Sequence, residues 1–210
     1  MKKLSKENYP TEELERLVRS VTFFKDIAKL SPDQFDLILT VCDFVHAGAG
    51  EAVMQKGDTA SELFFLLKGQ MSVCTDDGTS LNLIHPGEVF GTLSMVTGRS
   101  RSATVKAESD VILLSIDFKY FNDINDYSLV TLNTKLVAYR MLVHNVRWTL
   151  ELNKMQNRDH ELVPKLLKMP IYTGPKDSPE ELAALHEQSC LLADLLCEWN
   201  ESLAETEEPA

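Results

Sequence analysis

The sequence predicts an α+β protein: a jelly-roll β barrel with flanking N-terminal helices, a long C-helix and a C-terminal helical extension. Three observations predict it. Between about residues 46 and 118, short apolar runs of strand length alternate with regularly spaced glycine and proline turn signals, the pattern of an all-β sandwich or barrel. Leu129, Leu132, Leu136, Tyr139, Val143, Val146 and Leu150 then recur at alternating three- and four-residue steps, a heptad-like seam on one helix. A third signal, Ser178-Pro179-Glu180-Glu181, opens a second stripe of Leu182, Leu185, Ser189, Leu192, Leu196 and Trp199. The chain divides accordingly into an N-terminal helical segment (1–45), a β roll (46–118), the C-helix (119–156) and an acidic helical tail (157–210).

The elements follow in order. Phe23-Phe24 precedes Leu30-Ser31-Pro32, where Ser31-x-x-Gln34 is a capping box with proline at the first helical position. Phe35, Ile38, Val41 and Cys42 recur at helical spacing and are expected to face a core. The period then changes. Glycines at 50, 57 and 69 bracket the segments Gly50 to Asp58 and Glu62 to Lys68. Met71 to Cys74 alternates and stops at Asp77-Gly78, a hairpin signal. Leu81 to Ile84 is a short strand closed by Pro86-Gly87-Glu88, and Val111 to Ile116 has the length of a buried strand. Gly50, Gly57, Gly69 and Gly87 read as turn residues, and Asp58 as a turn-stabilising side chain. Residues from Ala204 to Ala210 read as disordered.

Composition limits the partners. A chain of 210 residues with 44% hydrophobic content can bury one good core plus helical appendages. The net charge is −11, and from Arg158 onward 4 basic residues face 12 acidic ones, the opposite of a nucleic-acid reader. No apolar run of about 18 residues and no signal peptide is visible, so a cytoplasmic location and no membrane contact are expected. Cys42, Cys74, Cys190 and Cys197 form no C-x-x-C pair or metal spacing and are expected to be reduced thiols. His46 and His85 do not form a metal-binding pair, and no G-x-S-x-G, P-loop or H-E-x-x-H motif is present. No catalytic residue, metal or cofactor is expected, and the chain reads as a non-enzyme.

The most informative stretch is Phe90-Gly91-Thr92-Leu93-Ser94-Met95-Val96-Thr97-Gly98-Arg99-Ser100-Arg101-Ser102-Ala103-Thr104-Val105. It resembles the phosphate-binding cassette of the cyclic nucleotide-binding domain family, of the catabolite-activator and protein kinase A regulatory-subunit type. That family typically reads F-G-E-L-A-L, a spacer with a glycine, then R-x-A-T-V. The resemblance extends from about Phe23 to Phe121 and implies a ligand site formed by Phe90, Gly91, Thr92, Leu93, Ser94, Arg101, Ser102 and Ala103. Backbone N–H groups near Leu93 and Ser94 would face a cyclic phosphate, Gly91 would allow close backbone approach, and Arg101 would add a charge-assisted contact. Ser102 would complete the donors, and Ala103-Thr104-Val105 would begin the returning strand.

One position departs from the family pattern: its ribose-binding glutamate is Thr92 here. A hydrogen bond to a charged group contributes roughly 1.5–3 kcal/mol, so this change implies about tenfold to a hundredfold weaker binding of a ribose-bearing ligand. By the same resemblance the C-helix would form a homodimer interface, and its positions around Leu142, Val143 and His144 would approach the base. The DNA-binding domain of the family's transcription factors is missing from the pattern. Two functions remain open. One is a regulatory sensor of cyclic AMP or cyclic GMP; the other is a ligand-free relative acting as an adaptor for a protein partner. The tail helix likewise has two readings, packing on its own domain or docking through Trp199 and its leucines.

Overall fold

The computed structural model describes residues 2–4, 11–74 and 80–207 and divides into two compact units, Met1–Asp123 and Ile124–Ala210. The first unit starts with β1 (Lys2–Lys3) and three helices, α1 (Glu12–Ser20), α2 (Thr22–Leu30) and α3 (Pro32–Val41). The Ser31 cap forms as expected, its hydroxyl accepting from the Gln34 amide at 3.3 Å. Phe35 and Ile38 are buried, but Cys42 is not helical: it begins β2 (Cys42–Ala47). A strand start at this point lets the buried Cys42, Phe44, Val45 and Ala47 join the sheet.

The roll consists of β2, β3 (Ala52–Met54), β4 (Glu62–Lys68), β5 (Met71–Cys74), β6 (Ser80–Ile84), β7 (Val89–Phe90), β8 (Thr104–Ala107) and β9 (Val111–Asp117). They form two antiparallel sheets, in the orders β1-β2-β9-β4-β7 and β3-β8-β5-β6. The expected jelly roll is thus present as a pair of sheets. The Asp77-Gly78 hairpin turn lies outside the described residues.

β4 shows why its sequence is apolar on both faces. Phe64 and Leu66 enter the core inside the roll, with Phe90, Met71, Val105 and Leu113. Phe65, one residue on, points to the other face, because successive strand residues alternate sides. There it stacks on Phe23 at 5.2 Å and meets Phe24 edge-on at 4.9 Å. The helices of the N-terminal segment therefore cover the outer face of this sheet, and α5 (Lys119–Asn122) adds Phe121 to the same aromatic cluster.

The second unit contains α6 (Leu132–Gln156), α7 (Val163–Leu167) and α8 (Pro179–Glu207). Helices α6 and α8 pack along one another. All six residues of the predicted tail stripe, Leu182, Leu185, Ser189, Leu192, Leu196 and Trp199, are buried. The reading in which this helix packs on its own domain is the one observed, and the Trp199 anchor is used internally. Ala204 to Glu207, expected to be disordered, continue α8; residues 208–210 lie outside the described residues.

The seam on α6 is only partly as read. Leu136, Tyr139, Val146 and Leu150 are buried, but Leu142 is buried in preference to its neighbour Val143, and Leu129 is 37% exposed. A straight α-helix turns 3.6 residues at a time, so a strict heptad drifts off the covered face. The pair is locked at one end by Arg140. Its Nη2 donates to both carboxylate oxygens of Glu181 at 2.8 and 2.7 Å and to Asp177 Oδ1 at 2.9 Å. Among the described residues, no helix is long and apolar enough to cross a membrane.

Candidate functional site

Strand pairing creates the site. Phe64 of β4 lies opposite Phe90 of β7, which brings the backbone at Glu62 beside the residues that follow Phe90. The chain leaves β7 through Gly91 at φ 81°, a left-handed conformation that glycine adopts without steric cost, and enters α4 (Thr92–Thr97). A second left-handed residue, Gly98 at φ 66°, ends that helix.

The return path is pinned to a different turn. The Arg101 amide donates to the Asp58 carbonyl at 2.9 Å, and the Gly57 amide donates to the Arg101 carbonyl at 2.8 Å. Asp58 is a turn-stabilising residue as expected, its carboxylate accepting from the Gln55 amide at 3.1 Å. Downstream, the Thr104 hydroxyl accepts from the Lys56 amide at 3.1 Å. Held at both ends, the Arg101 side chain reaches back across the start of α4.

Arg101 is only 6% exposed. Its Nη2 donates to the Glu62 carbonyl at 2.6 Å and its Nη1 to the Gly91 carbonyl at 3.2 Å. The guanidinium carbon lies 5.7 Å from the ring centroids of both Phe64 and Phe118. Burial pulls the guanidinium pKa below its ordinary value, opposed by the electrostatic pull of Glu62 and Asp58. The result is a desolvated cation whose hydrogen bonds go to neutral carbonyl oxygens.

The structure brings Phe90, Gly91, Thr92 and Arg101 together. Phe90 stacks on Phe64 at 5.3 Å, and Thr92 is buried at the first position of α4. Ser94 is buried, its hydroxyl donating to the Ser100 carbonyl at 3.3 Å, and Leu93 and Ala103 are half-buried. Ser102 is exposed, as is His144, which belongs to α6 in the second unit. Sequence reasoning missed Glu62, Phe64 and Phe118 as surroundings of Arg101. Glu62 contributes a backbone oxygen, which carries no residue signature; only strand register reveals it. Among the described residues no group of three or more His, Cys, Asp or Glu side chains could hold a metal ion.

The site thus combines a two-sheet roll, a buried arginine and a left-handed glycine at the start of a short helix. Residues 44–127 match the family model of the cyclic nucleotide-binding domain. Glutaminase 2 of Bradyrhizobium diazoefficiens is 34% identical over 97 residues, covering 46% of this chain and 15% of that protein. A cyclic nucleotide-gated potassium channel of Mesorhizobium japonicum is 33% identical over 101 residues, covering 48% of this chain and 27% of the channel. The chain thus spans less than a third of the length of these curated relatives. The solved structure of cAMP-bound PfPKA-R is similar in fold, with a TM-score of 0.52 at 20% identity over 68% of this chain and 47% of that chain.

Proposed function

We propose that this chain is a non-enzymatic, cytoplasmic regulatory protein that senses a cyclic nucleotide through the segment from Phe90 to Ala103. One observation carries the reading: Arg101 is a buried cation bonded to neutral carbonyls, beside a glycine that keeps side-chain bulk away from it. A desolvated positive charge is costly without an opposite charge, and a cyclic phosphate monoanion supplies one together with hydrogen-bond acceptors. Under this reading Leu93, Ser94 and Ser102 add donors.

A second reading is favoured by Thr92, which leaves the ribose without a carboxylate, and by the two carbonyls already engaging Arg101. In it Arg101 is a strut joining β4 to the α4 turn, and the domain is a ligand-free adaptor. Calorimetry with cyclic AMP and cyclic GMP separates the two. Binding in the micromolar range that Arg101→Ala abolishes supports the sensor; no heat and no thermal shift with either nucleotide supports the adaptor. A ligand at a hundredfold excess over its dissociation constant adds about 2.7 kcal/mol of apparent stability, readily visible as a shift in Tm.

A further inference from the structure

The second unit leaves a group of apolar side chains outside its own core. Leu167 at the end of α7 is 69% exposed, Ile171 in the link to α8 is 75% exposed, and Leu191 on α8 is 40% exposed. Ile171 also lines a shallow hollow of about 170 Å3 with Pro170, Tyr172, Ala184, Glu187 and Gln188.

The link that presents Ile171 is braced. Gln188 Nε2 donates to the Pro170 carbonyl at 2.7 Å, and the Tyr172 hydroxyl donates to the Pro175 carbonyl at 3.0 Å. Tyr172 packs so closely on Gly174 that a Cβ there would collide with its hydroxyl oxygen. The Asp177 amide, further along, donates to the Glu181 carboxylate at 2.6 Å. A backbone tied at these points holds Ile171 outward, and exposed apolar surface of this kind marks interaction sites.

Charge selects the occupant. The 29 residues of α8 include no lysine or arginine. Its exposed positions Glu180, Ala183, Glu187, Leu191, Asp194, Glu198 and Glu201 follow three- and four-residue steps and so share one face. Lys165 of α7 pairs with Glu198 at 2.7 Å, and Lys168 and Lys176 lie exposed on the link. The remaining stripe is acidic along its length, with Leu191 in the middle and the hollow beside it. Two such faces repel each other, which disfavours a second copy, and an anionic lipid surface is repelled in the same way.

We propose that the outer face of α8 and the adjoining hollow form a docking surface for a basic amphipathic helix of a partner protein. Apolar residues at three- and four-residue spacing on that helix cover Ile171 and Leu191, and its lysines or arginines face Glu187, Asp194 and Glu201. This surface belongs to the second unit alone and stands whether or not the roll binds a nucleotide.

The test measures fluorescence anisotropy of labelled synthetic peptides against the full chain. The probes are a Leu/Lys helix of about 18 residues with amphipathic spacing, a scrambled peptide of equal composition, and a Leu/Glu counterpart. The patterned basic peptide is expected to bind at micromolar concentration and to weaken with salt. Ile171→Ser and Leu191→Ser are each expected to weaken it about tenfold, the loss of one buried apolar contact. The double variant Glu187→Lys, Asp194→Lys is expected to flatten the salt dependence. All of these positions are exposed, so Tm is expected to stay unchanged. Equal binding of the scrambled peptide, or full affinity in both serine variants, overturns the proposal. So does a dimer in sedimentation that Ile171→Ser dissolves, since the occupant would then be a second copy.

Discussion

The Arg101 guanidinium fills the space into which a side chain at position 91 would project. A Cβ on Gly91 would lie 2.6 Å from Arg101 Nη1 and 3.4 Å from the Glu62 carbonyl oxygen. The two residues are therefore coupled: the guanidinium can bond both carbonyls only because position 91 has no side chain. Gly91→Ala adds left-handed strain, at about 1–2 kcal/mol, to the displacement of Arg101. Urea unfolding is expected to show a loss of at least that size, and cyclic nucleotide binding is expected to fall with it.

Thr92→Glu restores the carboxylate that the family pattern places at this position. If the segment holds a cyclic nucleotide, affinity is expected to rise about tenfold to a hundredfold, the contribution of one hydrogen bond to a charged group. Calorimetry on the single variant measures it. An unchanged affinity would mean that the ribose does not lie beside α4.

Tyr139 provides a pH signature for the helix pair. Its phenol is buried and its pKa is pushed up to about 12, first by desolvation and then by the nearby Cys190. A folded-state pKa above the unfolded value gives stability that is complete below pH 10 and is lost as pH rises towards 12. The expected loss is about 1.4 kcal/mol for each pH unit in that interval. Unfolding curves between pH 9 and 12, compared with Tyr139→Phe, isolate this contribution; the variant is expected to lack the difference.

Trp199 is fully buried and stacks on His160 at a centroid distance of 4.1 Å. The Leu162 amide donates to His160 Nδ1 at 3.2 Å, so Nε2 carries the proton and donates to the Ser202 hydroxyl at 2.9 Å. Trp199→Ala is expected to cost about 3–5 kcal/mol. Trp199→Phe is expected to cost clearly less, because the indole N–H has no hydrogen-bond partner among the described residues. Chemical denaturation of the two variants gives the ranking.

The Arg140 clamp is open to a double-mutant cycle. Glu181 is buried and engaged in two-pronged fashion, while the Arg140 side chain is 40% exposed. Solvent screening reduces the contribution of the pair, and the cycle Arg140→Ala with Glu181→Ala is expected to give about 1–2 kcal/mol of coupling. Arg140→Lys is expected to recover less than half, since a point charge cannot match both oxygens.

Where a local rule and the packing agree, the chain could be read directly. The Ser31 and Ser178 caps, the Met71–Cys74 strand and the buried face of α8 follow from residue type and spacing. The segment from Phe90 to Val105 stood out through its resemblance to a family pattern, and its glycine does adopt the left-handed turn that pattern implies. What stayed hidden depends on distant partners. Strand β1 exists only through its pairing with β2, and β7 is two residues long. Cys42 fits a helical period but joins a strand, because the sheet offers it a ladder partner at Ile116. The Glu62 carbonyl beneath Arg101 is a backbone group, and no side-chain pattern announces it.

The pairing of α6 with α8 limits how this chain can assemble. A seam already filled by a neighbour from the same polypeptide is closed to a second molecule in the native state. Another copy could reach the face of α6 that packs on α8 only after α8 had peeled away, taking Trp199 out of its stack and breaking the Arg140 clamp. Association through that seam would then be an exchange of helices between chains, with a rate governed by local unfolding and nearly independent of protein concentration.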